Sequence, residues 1–179
     1  MLERFYPHEY AESVFSIDYG RLYGLGYRGL IFDIDNTLVH HGDDATPEVE
    51  ALFAKIQGMG FTTLLLSNND EKRIQRFIKN IDTLYICDAD KPNTSGYLRA
   101  AEMMNVGREK TVFIGDQIFT DILGANRSKI ACILVKYIRG KEDTRPGKRR
   151  ALEGVILKFY KKSKRYKAGL GGIRKKGDI

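Results

Sequence analysis

Cysteine is scarce in this sequence of 179 residues: only Cys87 and Cys132 occur, each inside an apolar run, and no CxxC pair exists. That excludes a disulfide framework and a cysteine-based zinc site. Long hydrophobic runs are missing as well. The longest span a few residues, such as Leu64-Leu65-Leu66, far short of the ~20 apolar residues that a membrane-spanning helix needs. The opening MLERFYPHEY is charged and lacks the apolar core of a secretory signal. The expectation is a globular protein of the reducing cytosol. Its hydrophobic fraction of 42% and charged fraction of 30% suit a packed domain rather than a disordered chain.

Acidic and basic residues are unevenly spread. Residues 136–179 hold 16 Lys/Arg and 4 Asp/Glu, leaving 14 basic and 19 acidic residues in 1–135. The net charge of +7 is therefore a mildly acidic body joined to a basic tail. Such a tail suits an anionic surface (nucleic acid, ribosome or membrane) or serves as a solvated end.

Apolar runs alternate with helical patterns. Gly29–Phe32, Phe61–Leu66, Leu84–Ile86, Thr111–Ile114 and Ile130–Ile138 read as strands. Residues 47–58, 70–79, 94–105 and 118–126 read as helices, the first opened by Thr46 as cap and Pro47 at the first position. The aromatic-rich residues 1–24 are expected to cover part of the core. Residues 139–150 read as a loop and 168–179 as a flexible end. The sum is one α/β domain over 1–138, with a mainly parallel five-stranded sheet, followed by a basic extension over 139–179.

Ligands of such sheets bind at the carboxyl ends of the strands. Asp33, Asp35 and Thr37 follow the first strand; Ser67 and Asn68 follow the second. Lys91 lies beyond the third, and Gly115, Asp116 and Asp121 follow the fourth. Converging carboxylates repel one another unless a divalent cation relieves them. Hard oxygen donors suit Mg²⁺, and a lysine and a hydroxyl beside it suit a phosphate group. Asp70, Asp82, Asp88 and Asp90 read as caps or solvated acids instead, and His40 and His41 as part of a solvated turn.

These residues resemble the haloacid dehalogenase superfamily. FDIDNTL (32–38) resembles its DxDxT motif, LLLSN (64–68) its second motif, Lys91-Pro92 its lysine motif and FIGDQIFTD (113–121) its GDxxxxD motif. The resemblance implies a Rossmannoid three-layer sandwich and phosphoryl chemistry. Asp33 would be the nucleophile forming an aspartyl-phosphate, and Asp35 the general acid and base. Mg²⁺ would be held by Asp33, Asp116 and the backbone carbonyl of Asp35, with Asp121 in support. Ser67, Asn68 and Lys91 would bind phosphate, with Thr37 and Gly115 supporting the site.

Superfamily lid domains sit in one of two slots. Here Asp33 to Ser67 spans 34 positions and Ser67 to Lys91 spans 24, each filled by a helix and a strand. The chain therefore resembles the capless subfamily IIIA. Through PHEYAESVFSID (7–18), SNN and GDQIFTD it resembles more narrowly the YqeG group, which is similar to phosphatidylglycerophosphate phosphatases. That implies a lipid phosphomonoester substrate in phospholipid biosynthesis; a soluble or macromolecular phosphomonoester is the alternative.

In the tail, Leu152, Val155, Ile156 and Phe159 recur at helical spacing among lysines. A stripe of this kind either packs on the sheet or lies on the inner face of an anionic membrane. Gly24-x-Gly26-x-x-Gly29 matches a dinucleotide fingerprint but precedes a strand, so it fails that motif's context. A receiver domain lacks DxDxT and GDxxxxD. An RNA- or ribosome-binding role for the tail leaves the acidic cluster unexplained.

Overall fold

The computed structural model describes residues 2–140 and 147–173. Six parallel strands form the sheet: β1 (Glu9–Ala11), β2 (Gly29–Phe32), β3 (Thr62–Leu66), β4 (Leu84–Ile86), β5 (Thr111–Gly115) and β6 (Ala131–Val135). Their spatial order is β1-β6-β5-β2-β3-β4. The chain builds outward from β2 through β3 to β4, then returns to the other side of β2 for β5 and β6. That reversal falls between β2 and β5, where doubly wound sheets open a crevice.

Helices cover both faces. On one side lie α1 (Tyr19–Gly24), α2 (Pro47–Gly58) and α3 (Glu71–Phe77). Leu22, Phe53 and Phe77 from these helices meet Leu30, Phe32, Leu65, Val112 and Ile114 of the sheet. On the other lie α4 (Thr94–Met103), α5 (Leu123–Arg127) and α6 (Lys148–Lys161), followed by α7 (Lys164–Ala168). Tyr97, Ala125, Ile156 and Tyr160 there meet Ile31, Leu64, Leu66 and Phe113. Strand residues alternate between the two cores, so the central strands β2, β3 and β5 are buried on both faces apart from half-buried Thr62 at the start of β3, as an all-parallel sheet requires. The result is a three-layer sandwich, and the described residues contain no lid domain.

Local chemistry sets the boundaries. Thr46 caps α2 through Val49 N, and Asp70 caps α3 through Arg73 N. The sheet has six strands where the hydrophobic pattern predicts five. The extra one, β1, pairs with β6 in the register Glu9↔Ile133 and is only three residues long. The helix expected over 118–126 opens with a π-helical turn, Ile118–Ile122, before α5 begins. The expected loop over 139–150 partly falls on 141–146, outside the described residues. Residues 148–150 open α6 instead of continuing the loop. Residues 174–179 of the expected flexible end also lie outside the described residues. Ile173 is fully buried, and its carbonyl accepts from Asp18 N at 2.7 Å.

Candidate active site

β2 and β5 are paired in the register Phe32↔Ile114, and Asp33 N donates to Ile114 O at 2.9 Å. This pairing brings the two residues that follow the strands, Asp33 and Asp116, to the same end of the crevice. Asp121 returns to it from the π-helical turn. Gly115 permits that approach: a Cβ at this position would lie 2.5 Å from Asp121 Oδ2.

Asp33, Asp116 and Asp121 are all buried, and each offers a carboxylate oxygen within 4.8 Å of the others. Lys91, buried beside them, donates to Asp33 Oδ1 at 2.5 Å and to Asp121 Oδ1 at 2.9 Å. Thr37 Oγ1 stands 3.1 Å from Asp33 Oδ2 and 3.2 Å from Asp116 Oδ1. A hydroxyl carries one proton, so it satisfies only one of the two carboxylates at a time. Burial pushes the Asp33 carboxyl up to about 6, with the Asp121 charge adding to the effect and Lys91 opposing it. Burial likewise pushes Asp116 up to about 7, helped by the charges of Asp33 and Asp121 and opposed by Arg150. Both shifts express burial of the carboxylates first and their mutual repulsion second. A hard divalent cation fits this all-oxygen donor set and would draw both carboxyls back to their charged form.

Asp35 stands apart from that cluster. Its carboxylate accepts from Asn69 Nδ2 at 2.7 Å, Arg73 Nη2 at 3.0 Å and Gly42 N at 3.2 Å, with exposed His41 also 3.2 Å away. Burial acts to raise its carboxyl, but the bonds from Asn69, Gly42 and Arg73 outweigh it and hold Asp35 below the usual range. Ser67 is buried at the end of β3, where its Oγ accepts from Asn69 N at 3.1 Å. Asn68 Oδ1 accepts from Lys91 N at 2.8 Å, fixing the backbone that carries the buried lysine.

Three participants escape the sequence reading, Arg73, Arg150 and Glu153, while Asn69 follows Ser67 and Asn68 at the strand end without a role assigned to it there. Asn69 and Arg73 hold Asp35, and Arg150 and Glu153 arrive from α6. Arg150 pairs with Asp116 Oδ2 and also donates to the Asp116 carbonyl at 2.7 Å. Glu153 is buried; it holds Arg150 at 3.0 Å and accepts from Ile118 N at 2.9 Å and Phe119 N at 3.3 Å. The one available signal was an acid lying among the apolar positions of a basic helix.

Comparison with known proteins follows the same lines. A family described as haloacid dehalogenase-like hydrolase matches residues 40–129. A Bacillus subtilis (strain 168) protein named "Probable phosphatase YqeG" is 33% identical over 181 residues, covering 100% of this chain and 98% of its own length. The chain belongs to the haloacid dehalogenase-like hydrolases. It is therefore an enzyme of that class, and its fold agrees with solved structures at lower identity. An uncharacterised protein from Listeria monocytogenes serotype 4b superposes with a TM-score of 0.53 at 17% identity, over 76% of this chain and 99% of that one. NagD from the Escherichia coli K-12 strain gives 0.50 at 14% identity, over 68% and 94%.

Proposed function

We propose that this hydrolase is a Mg²⁺-dependent phosphomonoester phosphatase working through an aspartyl-phosphate at Asp33. The observation that carries the reading is the buried triad of Asp33, Asp116 and Asp121 with Lys91 set between two of its members. The carboxylates of Asp33 and Asp116 and the Asp35 carbonyl would hold the ion, with Asp121 in support. When bound it supplies positive charge for the phosphoryl oxygens.

The protein's own groups account for the remaining chemistry. An Asp33 oxygen attacks phosphorus while the ester P–O bond breaks, and Asp35, which stands in the structure as a carboxylate, first takes a proton from solvent and then gives it to the departing alkoxide. To do so Asp35 exchanges one of its present partners for the leaving oxygen. Asp35 then takes a proton from the water that releases phosphate from Asp33. Lys91, Ser67 and Asn68 hold the transferring group, Thr37 steadies the two carboxylates, and Gly115 keeps room for Asp121.

Phosphatidylglycerophosphate is the substrate we propose, with a place in phospholipid biosynthesis. The open site supports a bulky ester, and α6 supports contact with an anionic membrane. Ile156 and Tyr160 turn into the core, whereas Leu152, Val155 and Phe159 are 53%, 46% and 56% exposed. Exposed Lys158 and Lys162 flank this apolar stripe. No helix among the described residues is long and apolar enough to cross a membrane; the contact we propose is peripheral, on the cytoplasmic face.

The test supplies phosphatidylglycerophosphate in mixed micelles and, separately, sugar phosphates and nucleotides, each with Mg²⁺ or with EDTA. Metal-dependent phosphate release from the lipid is expected. Release from soluble esters alone rejects the lipid, and release from none rejects the phosphatase. Asp33→Asn is expected to lower turnover by at least 10³-fold.

A further inference from the structure

A pocket of about 320 Å³ opens beside the carboxylate cluster, between the end of β6 and α6. Asp116 forms part of its wall, so the pocket abuts the carboxylate cluster. Its other walls are chiefly apolar, built from Ile118, Leu134 and Leu157 with the Tyr10 and Tyr137 rings. Lys136, Arg139 and Arg150 also line it. The guanidinium groups of Arg139 and Arg150 lie 5.1 and 4.6 Å from the Tyr137 ring centroid. The pocket thus joins apolar walls to a polar side where Arg139, Lys136 and the Arg150–Glu153 pair stand next to the acidic cluster. A larger depression of about 580 Å³ lies near Gly107 and Arg108, before β5 begins, at the opposite ends of the strands from the chemistry.

We propose that the pocket beside Asp116 takes the hydrocarbon portion of an amphiphilic, anionic phosphomonoester. The inference rests on the phosphatase reading for the place of the phosphate, and on the geometry for its ligand class. A stem in the pocket removes apolar surface from water along Leu134, Leu157 and Ile118. Arg139 attracts the anionic end, while Arg150 is engaged by Asp116 and Glu153 and Lys136 by Glu12. A purely polar ester gains nothing from those walls. The subsite therefore selects amphiphilic esters over sugar phosphates.

Gly154 provides the test. It lines the pocket, and a Cβ built on it meets nothing within 4 Å, so a larger side chain enters open space rather than clashing. The experiment measures binding of ethyl, butyl and hexyl phosphonate to the full-length protein with Mg²⁺ by calorimetry. These probes cannot be hydrolysed, so the result does not depend on turnover. Each buried methylene is expected to tighten binding by roughly threefold to fourfold. Gly154→Leu should remove most of that gain while ethyl phosphonate binds within about twofold of its wild-type affinity. Affinities that stay flat from ethyl to hexyl in the wild type overturn the subsite, and so does an unchanged slope in the folded variant. An inactive protein that keeps the slope loses the phosphatase reading and retains the subsite; an active one with no slope does the reverse.

Discussion

Arg150 binds Asp116 twice, through its carboxylate and through its backbone carbonyl, from a helix 34 positions further along the chain. Its guanidinium therefore neutralises a carboxylate that the proposed Mg²⁺ also needs. Removing Arg150 takes away a competing positive charge. Arg150→Gln is expected to bind Mg²⁺ about tenfold more tightly at pH 8.5, where Asp116 is ionised with or without its partner. Calorimetric titration checks this, and equal or weaker binding would show that the arginine does not oppose the ion.

Mg²⁺ and protons compete for the same carboxylates. Asp33 and Asp116 titrate near 6 and 7 in the folded metal-free protein, against 3.8 in ordinary surroundings. Their folded state binds the extra protons, so both groups favour folding less as pH rises from about 4 to 7. The ion relieves that loss only where the carboxylates are charged. Saturating Mg²⁺ is thus expected to raise Tm by several degrees at pH 8 and by little at pH 5.5. An equal rise at both pH values in differential scanning calorimetry would place the bound ion elsewhere. Asp116→Asn should flatten the difference.

Lys91 is a buried cation between two buried carboxylates. Replacing it with methionine keeps the volume and leaves those charges facing each other. Lys91→Met is expected to cost about 3–5 kcal/mol at pH 8 by urea denaturation. The cost should shrink as pH falls from 8 towards 6, because Asp33 takes up a proton more readily once the lysine charge that opposed it is gone. A pH-independent loss would point to packing instead.

His8 illustrates the opposite slope. Burial first, then the nearby Arg165 charge, push its imidazole down to about 4, and its Nδ1 accepts from Cys132 N at 3.1 Å. The unfolded chain binds that proton near 6.5, so the folded state loses ground as pH falls from about 6.5 to 4. The loss reaches about 3 kcal/mol at most. Subtracting the His8→Gln stability profile from the wild type isolates this slope from the opposing carboxylates. A flat difference would show that His8 does not act this way.

The carboxylate cluster was legible because its members follow strands that are continuous apolar runs, and parallel pairing leaves little freedom in where those ends meet. Asp33, Asp116, Asp121 and Lys91 accordingly fall together. β1 was not legible: three residues offer no periodicity, and Glu9, its first, is charged yet buried, accepting from Tyr10 N and Leu170 N. Arg150 and Glu153 were hidden for another reason. Counted as part of a basic tail, an arginine looks like one more solvated charge, and only the docking of Ile156 and Tyr160 turns it toward Asp116. The partners of Asp35 were equally silent, since Arg73 reads as a helix-surface cation until α3 is set beside the loop that carries Gly42.

The placement of α6 has a consequence for the order of assembly. The strands bearing Asp33 and Asp116 are complete once β5 has been made, yet the cation that quiets Asp116 and the carboxylate that holds the Ile118 and Phe119 amides come after residue 147. A nascent chain halted between β6 and α6 holds its acidic centre without that counter-charge. Synthesis must pass Glu153 before the pocket's last wall can close.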